Sequence, residues 1–423
     1  MPVTSTPSRS LLRHPDFLKL WTAESVSVFG TAVSQLAIPL IAASVLTVSA
    51  FEFGMLSTLE MLPFILLSLP AGVWVDRLRR RPILIVGDLG RAVAIASIPI
   101  AFAFNALTIW QLYVVALVVG CLTVFFDVAY QSYLPSIVER DQLVDGNAKL
   151  ETTKSAAQIL GPGLAGLLIG VLRAPFAMVL DSLSYLWSAA FIFWIRRAEP
   201  PVPVHDAATG PRPSMRADIA EGLRYVTGQP WLRAIAATTG TSNMFGNIGQ
   251  TILILYLVRE RGLTAEAIGF AFSAGSTGVL LAAVTVNAIT RRIGVGRMLV
   301  LMAIGFSCAL LPVAMAPDAL VLPGLALTGF IGGYCSIGWN INQLSLRQAI
   351  TPARMQGRMN ASMRFIVWGT IPIGSIAGGI LGGVIGLHAT IWVGAIGALF
   401  GFIPVALSPV RSLRTMPEPV EAA

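Results

Sequence analysis

Glu24, Glu60, Asp88, Asp127 and Asp181 lie inside stretches that are otherwise oily. Placing an acid at the middle of a bilayer costs about 2.5 to 3.5 kcal/mol on insertion scales, so each needs a reason. Two chemistries fit. A desolvated carboxyl without a cation keeps its proton and can carry it from one side to the other. A carboxylate beside a cation is a structural or gating ion pair. Glu60 and Glu24 have no lysine or arginine three or four positions away, so they are read as proton carriers, Glu60 first. Asp88 and Arg91 stand three apart on one helical face and read as a local ion pair, with gate closure as its use. Glu151 and Lys154 have the same spacing and read as structural. Asp181 divides between bonding its own helix or a neighbour and touching a bound molecule.

A second concentration of charge is "AGVWVDRLRRRP", Ala71 to Pro82, with one acid and four arginines. Charges at a helix terminus complement its dipole and make charge-assisted hydrogen bonds. Asp127, near the inner end of its apolar run, is expected in the same network.

The elements that must hold these groups are membrane helices. The chain has 423 residues, 55% hydrophobic and only 12% charged, with a mean hydropathy of +0.75. Soluble domains carry about 25% charged residues. A net charge of +8 and a pI near 9.9 would suit nucleic acid, but the arginines fall in short bursts between apolar runs. That is a topology signal, and no nucleic-acid partner is expected. Cys121, Cys308 and Cys335, like His14, His205 and His388, are scattered, so neither a disulfide framework nor a metal site is expected. No cofactor is implied. The sequence has no HExxH, GxSxG or nucleotide-binding P-loop, which argues against an enzyme and against ATP as an energy source within this chain. No cleavable leader is expected, since the first apolar stretch is too long for one.

A helix needs about 20 apolar residues to cross the hydrocarbon. The sequence predicts twelve spans, over roughly 20–46, 53–75, 83–104, 107–131, 156–172, 175–195, 231–258, 268–289, 298–316, 319–341, 365–385 and 389–407. With both termini and the even-to-odd loops on one side, 24 of the 29 lysines and arginines fall there and 3 fall opposite. The positive-inside rule then puts both termini in the cytoplasm. The expected organisation is an N-terminal six-helix bundle over 1–196, a cytoplasmic linker with an amphipathic helix over 197–229, and a C-terminal six-helix bundle over 230–423. Ile219, Leu223 and Val226 sit at helical spacing in that linker and suit the inner membrane surface, although a plain spacer accounts for them too.

The halves also echo each other. Shifted by 213 residues, "DGNAKLETTKSAAQILGPGLAGLLIG" lies without a gap on "RMNASMRFIVWGTIPIGSIAGGILGG", matching Asn147 with Asn360 and Gly161 with Gly374. Duplicated six-helix halves are the parallel-repeat plan of secondary transporters, which place a cavity near the midplane.

At these residues the chain resembles the major facilitator superfamily. The loop signature between its second and third spans is matched by Gly72, Asp76, Arg77, Arg80 and Arg81, with Arg79 where a second glycine is usual. The resemblance implies that Asp76 latches a cytoplasmic gate together with those residues and Asp127. The second-half loop "AITRRIGVGR" lacks the acid, so any latch is asymmetric. "GDLGRA", "FFDVAYQSYLPSIV", "LDSLSYLWSA" and "GRMNASMRF" bring the likeness to the branch of multidrug, macrolide and enterobactin-type siderophore exporters. Gly161, Pro162, Gly163 and Gly166 resemble the antiporter motif of the fifth span, though close helix packing explains such glycines as well. Where many relatives carry an acid in the first span this chain has Thr31, so their coupling site does not carry over.

The expected cavity is lined by Phe29, Phe64, Asp181, Asn243, Asn247, Tyr334, Trp339, Asn340, Asn342 and Arg364. Acids, amides and aromatics together suit amphipathic organic molecules, while Asn and Gln equally serve as glue between helices. The reading is therefore an exporter of amphipathic or lipophilic small molecules in a bacterial cytoplasmic membrane. Its partners are a small-molecule substrate, protons and lipid, and a monomer is expected. The alternative of the same fold is a narrow exporter of a siderophore or another secreted metabolite. A non-transporting receptor or scaffold would need neither the repeat nor the buried acids.

Overall fold

The computed structural model describes residues 11–75, 77–139, 142–197, 199, 215–352, 355–415 and 417. Asp76 and residues 198 and 200–214 of the linker lie outside them. The described residues are helical throughout, with no strand. In order the helices are α1 (Pro15–Leu40), α2 (Ala50–Val75), α3 (Arg80–Ala103), α4 (Ile109–Ile137), α5 (Leu143–Leu172), α6 (Ala174–Phe193), α7 (Met215–Gly228) and α8 (Pro230–Arg259). They continue with α9 (Ala265–Ile293), α10 (Val295–Ser307), α11 (Leu311–Met315), α12 (Val321–Ile350), α13 (Gln356–Val384), α14 (Leu387–Ala398) and α15 (Ile403–Ala406).

Local chemistry sets several of the starts. His14 accepts the Phe17 N–H at 3.1 Å, with Pro15 at the first helical position of α1. Thr108 and Thr264 cap α4 and α9 in the same way, each at 3.4 Å. Among the described residues eleven helical segments are long and apolar enough to cross a bilayer. The remaining long helix, α8, falls short because Thr238, Thr239, Thr241, Ser242, Asn243, Asn247 and Gln250 dilute its apolar residues.

Helices also outrun their oily stretches. The sequence begins the fifth and eleventh spans at 156 and 365 and ends the tenth at 341, whereas α5 starts at Leu143, α13 at Gln356, and α12 runs on to Ile350. Thirty helical residues measure about 45 Å, against about 30 Å of hydrocarbon, so the extra turns are polar. The ninth and twelfth spans are broken, α10 from α11 and α14 from α15.

The chain divides into two compact units, residues 1–46 with 59–205 and residues 47–58 with 206–423, so the division runs through α2. In unit 1, α1 packs on α5 and α6, and α3 packs on α4 and α6. In unit 2, α8 packs on α13 and α14, α10 on α12, and α9 on α12. Apart from α3 on α6 and α9 on α12, the two schemes match pair for pair. The linker helix α7 belongs to unit 2. Its Val226 is fully buried in that unit's core, Tyr225 donates to the Ile350 carbonyl at 3.2 Å, and Glu221 pairs with Arg358 at 2.5 Å.

The repeat reaches single residues. Leu143 and Gln356, the first residues of α5 and α13, are 213 apart (356 less 143). So are Arg173 and Gly386 (386 less 173), which join α5 to α6 and α13 to α14 at φ 67° and 88° with ψ 148° and 162°. That backbone region is essentially reserved for glycine, and a side chain there costs on the order of 1–3 kcal/mol. Close approach is the other use of glycine here. A Cβ on Gly275 of α9 would sit 2.8 Å from the Gly329 Cα and 3.0 Å from the Ala326 carbonyl of α12.

Two outcomes follow in thermal unfolding of the detergent-solubilised protein. Gly275→Ala lowers stability by about 1–3 kcal/mol through overpacking, while Gly383→Ala, with nothing within 4 Å, does not. Arg173→Gly raises stability by on the order of 1 kcal/mol, the lower end of the strain relieved.

Candidate functional site

The interior of unit 1 is organised around one guanidinium. Arg91 of α3 is 4% exposed and Asp88 0% exposed, and Nη2 donates to Oδ1 at 2.5 Å. The guanidinium carbon lies 4.1 Å from the Phe126 ring centroid of α4 and 4.3 Å from the Tyr185 ring centroid of α6. Two ring faces and a carboxylate thus replace water around the cation. The Tyr185 hydroxyl meets the Thr31 hydroxyl of α1 at 2.9 Å.

Asp181 of α6, also 0% exposed, lies on the same side of α1. Ser34 donates to its Oδ2, and Ser184 donates to its Oδ1 at 3.2 Å. Gly30 makes room for it, since a Cβ there would stand 2.8 Å from Oδ1. Ser182 ties α6 to α3 by donating to the Ala92 carbonyl at 2.9 Å.

The two expected proton carriers have different surroundings. Glu60 in α2 is half-buried and has neither an ion pair nor a hydrogen bond among the described residues. Glu24 in α1 is buried but not alone, because Lys154 of α5 approaches it to 3.6 Å. The lysine that the sequence assigns to Glu151 therefore serves another helix, and its Nζ also lies 5.5 Å from the Tyr130 ring. Trp21 and Thr153, joined at 2.9 Å, fix the same α1 to α5 contact. Asp127 is exposed and makes no ion pair with Arg77, Arg80 or Arg81; the cations whose charge reaches it are Arg91 and Lys154.

At the α6 C-terminus the loop arginines find partners that the sequence does not announce. The Glu199 carboxylate accepts the backbone N–H groups of Arg80 and Arg81 at 2.8 and 2.5 Å, capping α3. Arg81 donates through Nε to the Ile192 carbonyl at 3.2 Å and through Nη2 to the Phe193 carbonyl. Lys19 takes the Trp194 carbonyl at 2.7 Å, and Asp16 accepts the N–H groups of Arg196 and Arg197 at 3.2 and 3.0 Å. Cations on the last carbonyls of α6 and an anion on the first amides of α3 follow the helix dipoles. Arg77 is exposed, and Gly72 faces open space.

The antiporter-like glycines lie within a continuous α5, with Pro162 inside the helix and Gly161 against Ala32 of α1. In unit 2 most amides are satisfied locally. Asn342 donates to the Gly338 carbonyl at 2.9 Å and Asn247 to that of Asn243 at 2.8 Å, each one turn back. Asn243 bridges α8 to α13 through the Val367 carbonyl at 3.0 Å. Trp339 donates to Thr239 at 3.2 Å, and Tyr334 meets Thr285 at 3.0 Å. Asn340 is exposed, and its Oδ1 is 3.4 Å from Gln343. Phe29 and Phe64 of unit 1 are half-buried.

Arg347, counted with a loop in the sequence, sits inside α12. It donates to Gln343 at 3.1 Å and to Asn360 of α13 at 2.6 Å. Arg364 lies exposed, 5.0 Å from the Trp368 ring. Neither arginine pairs with a carboxylate among the described residues.

The family model described as transmembrane secretion effector matches residues 6–419. The chain belongs to the major facilitator superfamily, in its family of transmembrane secretion effectors. Among its relatives, the multidrug efflux pump Tap of Mycolicibacterium fortuitum is 26% identical over 379 residues, covering 88% of this chain and 90% of Tap. Macrolide efflux protein A of Streptococcus pyogenes is 26% identical over 229 residues, covering 54% of this chain and 55% of that protein. A bacterial homologue of the iron transporter ferroportin, solved in an inward-facing state, superposes with a TM-score of 0.73 at 18% identity, over 94% of this chain and 99% of that one. The nucleoside transporter NupG gives 0.67 at 12% identity, over 92% and 97%. These likenesses to solved structures establish the fold. The protein is a multi-pass transporter of the bacterial cytoplasmic membrane acting on a small molecule, and not an enzyme.

Removing one partner of a buried pair leaves the other charge stranded. Asp88→Ala is expected to destabilise the protein by about 3–5 kcal/mol, read as a fall in detergent melting temperature and in folded yield. Replacing the exposed Asp145, which pairs with Lys149 at 3.2 Å, changes stability by about 1 kcal/mol or less.

Proposed function

We propose that this transporter exports amphipathic or lipophilic small molecules by alternating access, in exchange for protons. It does so as a monomer of twelve spans with both termini in the cytoplasm. The efflux relatives support export, and the distribution of lysine and arginine supports the orientation. The observation that carries the coupling is Glu60, an acid in a membrane helix with no cation and no hydrogen-bond donor among the described residues. Such a carboxyl is stable in hydrocarbon only when protonated, and it ionises only when water or a cation reaches it. Alternating exposure then converts a proton gradient into cargo movement.

Glu24 is the second candidate, with Lys154 as a partner that must be displaced before it takes a proton. The gate proposed for Gly72, Asp76, Arg77, Arg80, Arg81 and Asp127 gains support from Glu199 and the α6 carbonyls, which already hold the arginine end of the loop. Phe29, Phe64, Asn243, Asn247, Tyr334, Trp339, Asn340 and Asn342 are proposed to contact cargo, with the antiporter glycines at Gly161, Gly163 and Gly166 admitting helix movement around Pro162. Arg347 and Arg364 favour a second reading, a narrow exporter of an anionic secreted metabolite.

The test uses energised inside-out vesicles with a pH-sensitive dye and a panel of lipophilic cations, macrolides, neutral amphiphiles and organic anions. Wild type is expected to collapse the pH gradient with the first three groups, and Glu60→Gln to lose that response while remaining inserted. A Glu60→Gln protein that responds like wild type removes Glu60 as the carrier. A wild type silent to every compound removes proton antiport, and a response to anions alone selects the second reading.

A further inference from the structure

Among the described residues of unit 1 the buried carboxylates of Asp16, Glu24 and Asp88 each have a cation, Lys19 at 2.8 Å in the first case, and that of Asp181 has none within ion-pair distance. Glu24 has Lys154 at 3.6 Å, and Asp88 has Arg91 at 2.5 Å. Asp127 is exposed. Asp181 is 0% exposed, and its partners are two neutral hydroxyls, Ser34 from α1 and Ser184 from its own helix. The charged and titratable groups around it are Asp88 and Arg91 of α3 and Tyr185 of α6. Glu24 of α1, Asp127 and Tyr130 of α4 and Lys154 of α5 lie beyond them. With all of these in their ordinary forms, Asp88, Arg91 and Asp181 carry one uncompensated negative charge in a buried site. Two carboxyls sharing such a site hold a proton between them rather than ionise together.

Arg91 is built to respond to where that proton sits. Its charge acts on both carboxyls, yet it hydrogen-bonds only Asp88. Its Nε is buried without a hydrogen bond among the described residues, and Ser188 of α6 lies against the Asp88 carboxylate. The guanidinium carbon lies over the rings of Phe126 and Tyr185, contacts that do not depend on which carboxylate its nitrogens donate to.

We propose that Asp181, Asp88 and Arg91 form a one-proton site in which Asp181 takes the proton and Arg91 exchanges partners. With Asp181 protonated, its O–H donates to Ser34 Oγ, reversing the present bond, and Arg91 stays on Asp88 within α3. When Asp181 releases the proton, Arg91 turns to the new carboxylate and ties α3 to α6. The proton crosses from carboxyl to water, and no bond other than O–H changes. The inference rests on the proton antiport proposed above and adds to it a site distinct from Glu60.

The experiment is infrared difference spectroscopy of the purified, detergent-solubilised protein across a pH titration, following the C=O stretch of a protonated, desolvated carboxyl without cargo or gradient. Wild type is expected to show one such band from this site, growing as pH falls. Asp181→Asn loses it and Glu60→Gln keeps it. The neighbours should move it in opposite directions: Arg91→Gln holds the band to higher pH, because the cation that favours ionisation is gone, and Asp88→Asn moves it to lower pH, because Arg91 is freed for Asp181. Ser34→Ala, which changes no charge, should shift the band without removing it, and stands in if Asp181→Asn does not fold. A band unchanged in Asp181→Asn, or insensitive to Arg91→Gln, Asp88→Asn and Ser34→Ala alike, overturns the site. A band that behaves as described in a protein whose vesicles exchange no protons overturns the antiport reading alone.

Discussion

The guanidinium of Arg91 cannot return to water, and much of the interior of unit 1 follows from that constraint. A desolvated cation is tolerated only where its surroundings replace hydration. Here α3 supplies the carboxylate of Asp88, and α4 and α6 supply the faces of Phe126 and Tyr185. Three helices are therefore committed to one point, and α1 is added through Thr31 and Ser34, which hold Tyr185 and Asp181. Apolar packing alone would allow these helices to slide, because lipid tails solvate leucine as well as another helix does. Polar contacts between α1, α3, α4 and α6 fix their register instead.

The two units share a packing scheme but not a chemistry. In each, the first helix packs on the fifth and sixth, and helices α5 and α13 begin at corresponding residues. The turn after them keeps one backbone shape at Arg173 and Gly386, although only the second residue suits it. Among the described residues the buried carboxylates, by contrast, lie in unit 1. Unit 2 fills the matching helices with amides that mostly bond their own helix, together with Arg347 and Arg364.

What could be read from the sequence is what depends on neighbours in the chain. Apolar runs betray helices in lipid because the bilayer imposes their length, and three-residue spacing puts Asp88 beside Arg91 on one face. Partners from distant segments leave no such mark. Lys154 looks like the partner of Glu151 but reaches Glu24, 130 residues earlier (154 less 24). Glu199 caps α3 from 118 to 119 residues away. Arg347 looked like a loop residue because hydropathy falls where α12 leaves the hydrocarbon, although the helix and its hydrogen bonds continue. α8 shows the converse, a long helix whose threonines and amides lower its hydropathy while tying it to its neighbours.

Thr31 joins these threads. The family resemblance leads one to look for an acid at that point of α1, and the residue there is a threonine whose hydroxyl meets Tyr185. One turn along α1, Ser34 meets Asp181 across the same helix contact, and Gly30 leaves the space that Ser184 and Asp181 fill. A carboxyl thus stands in this part of the interior but is carried by α6. Because it sits beside Arg91, its charge acts on the contact between α3 and α6 as well as that between α1 and α6. Asp181 stands where α1, α3 and α6 meet.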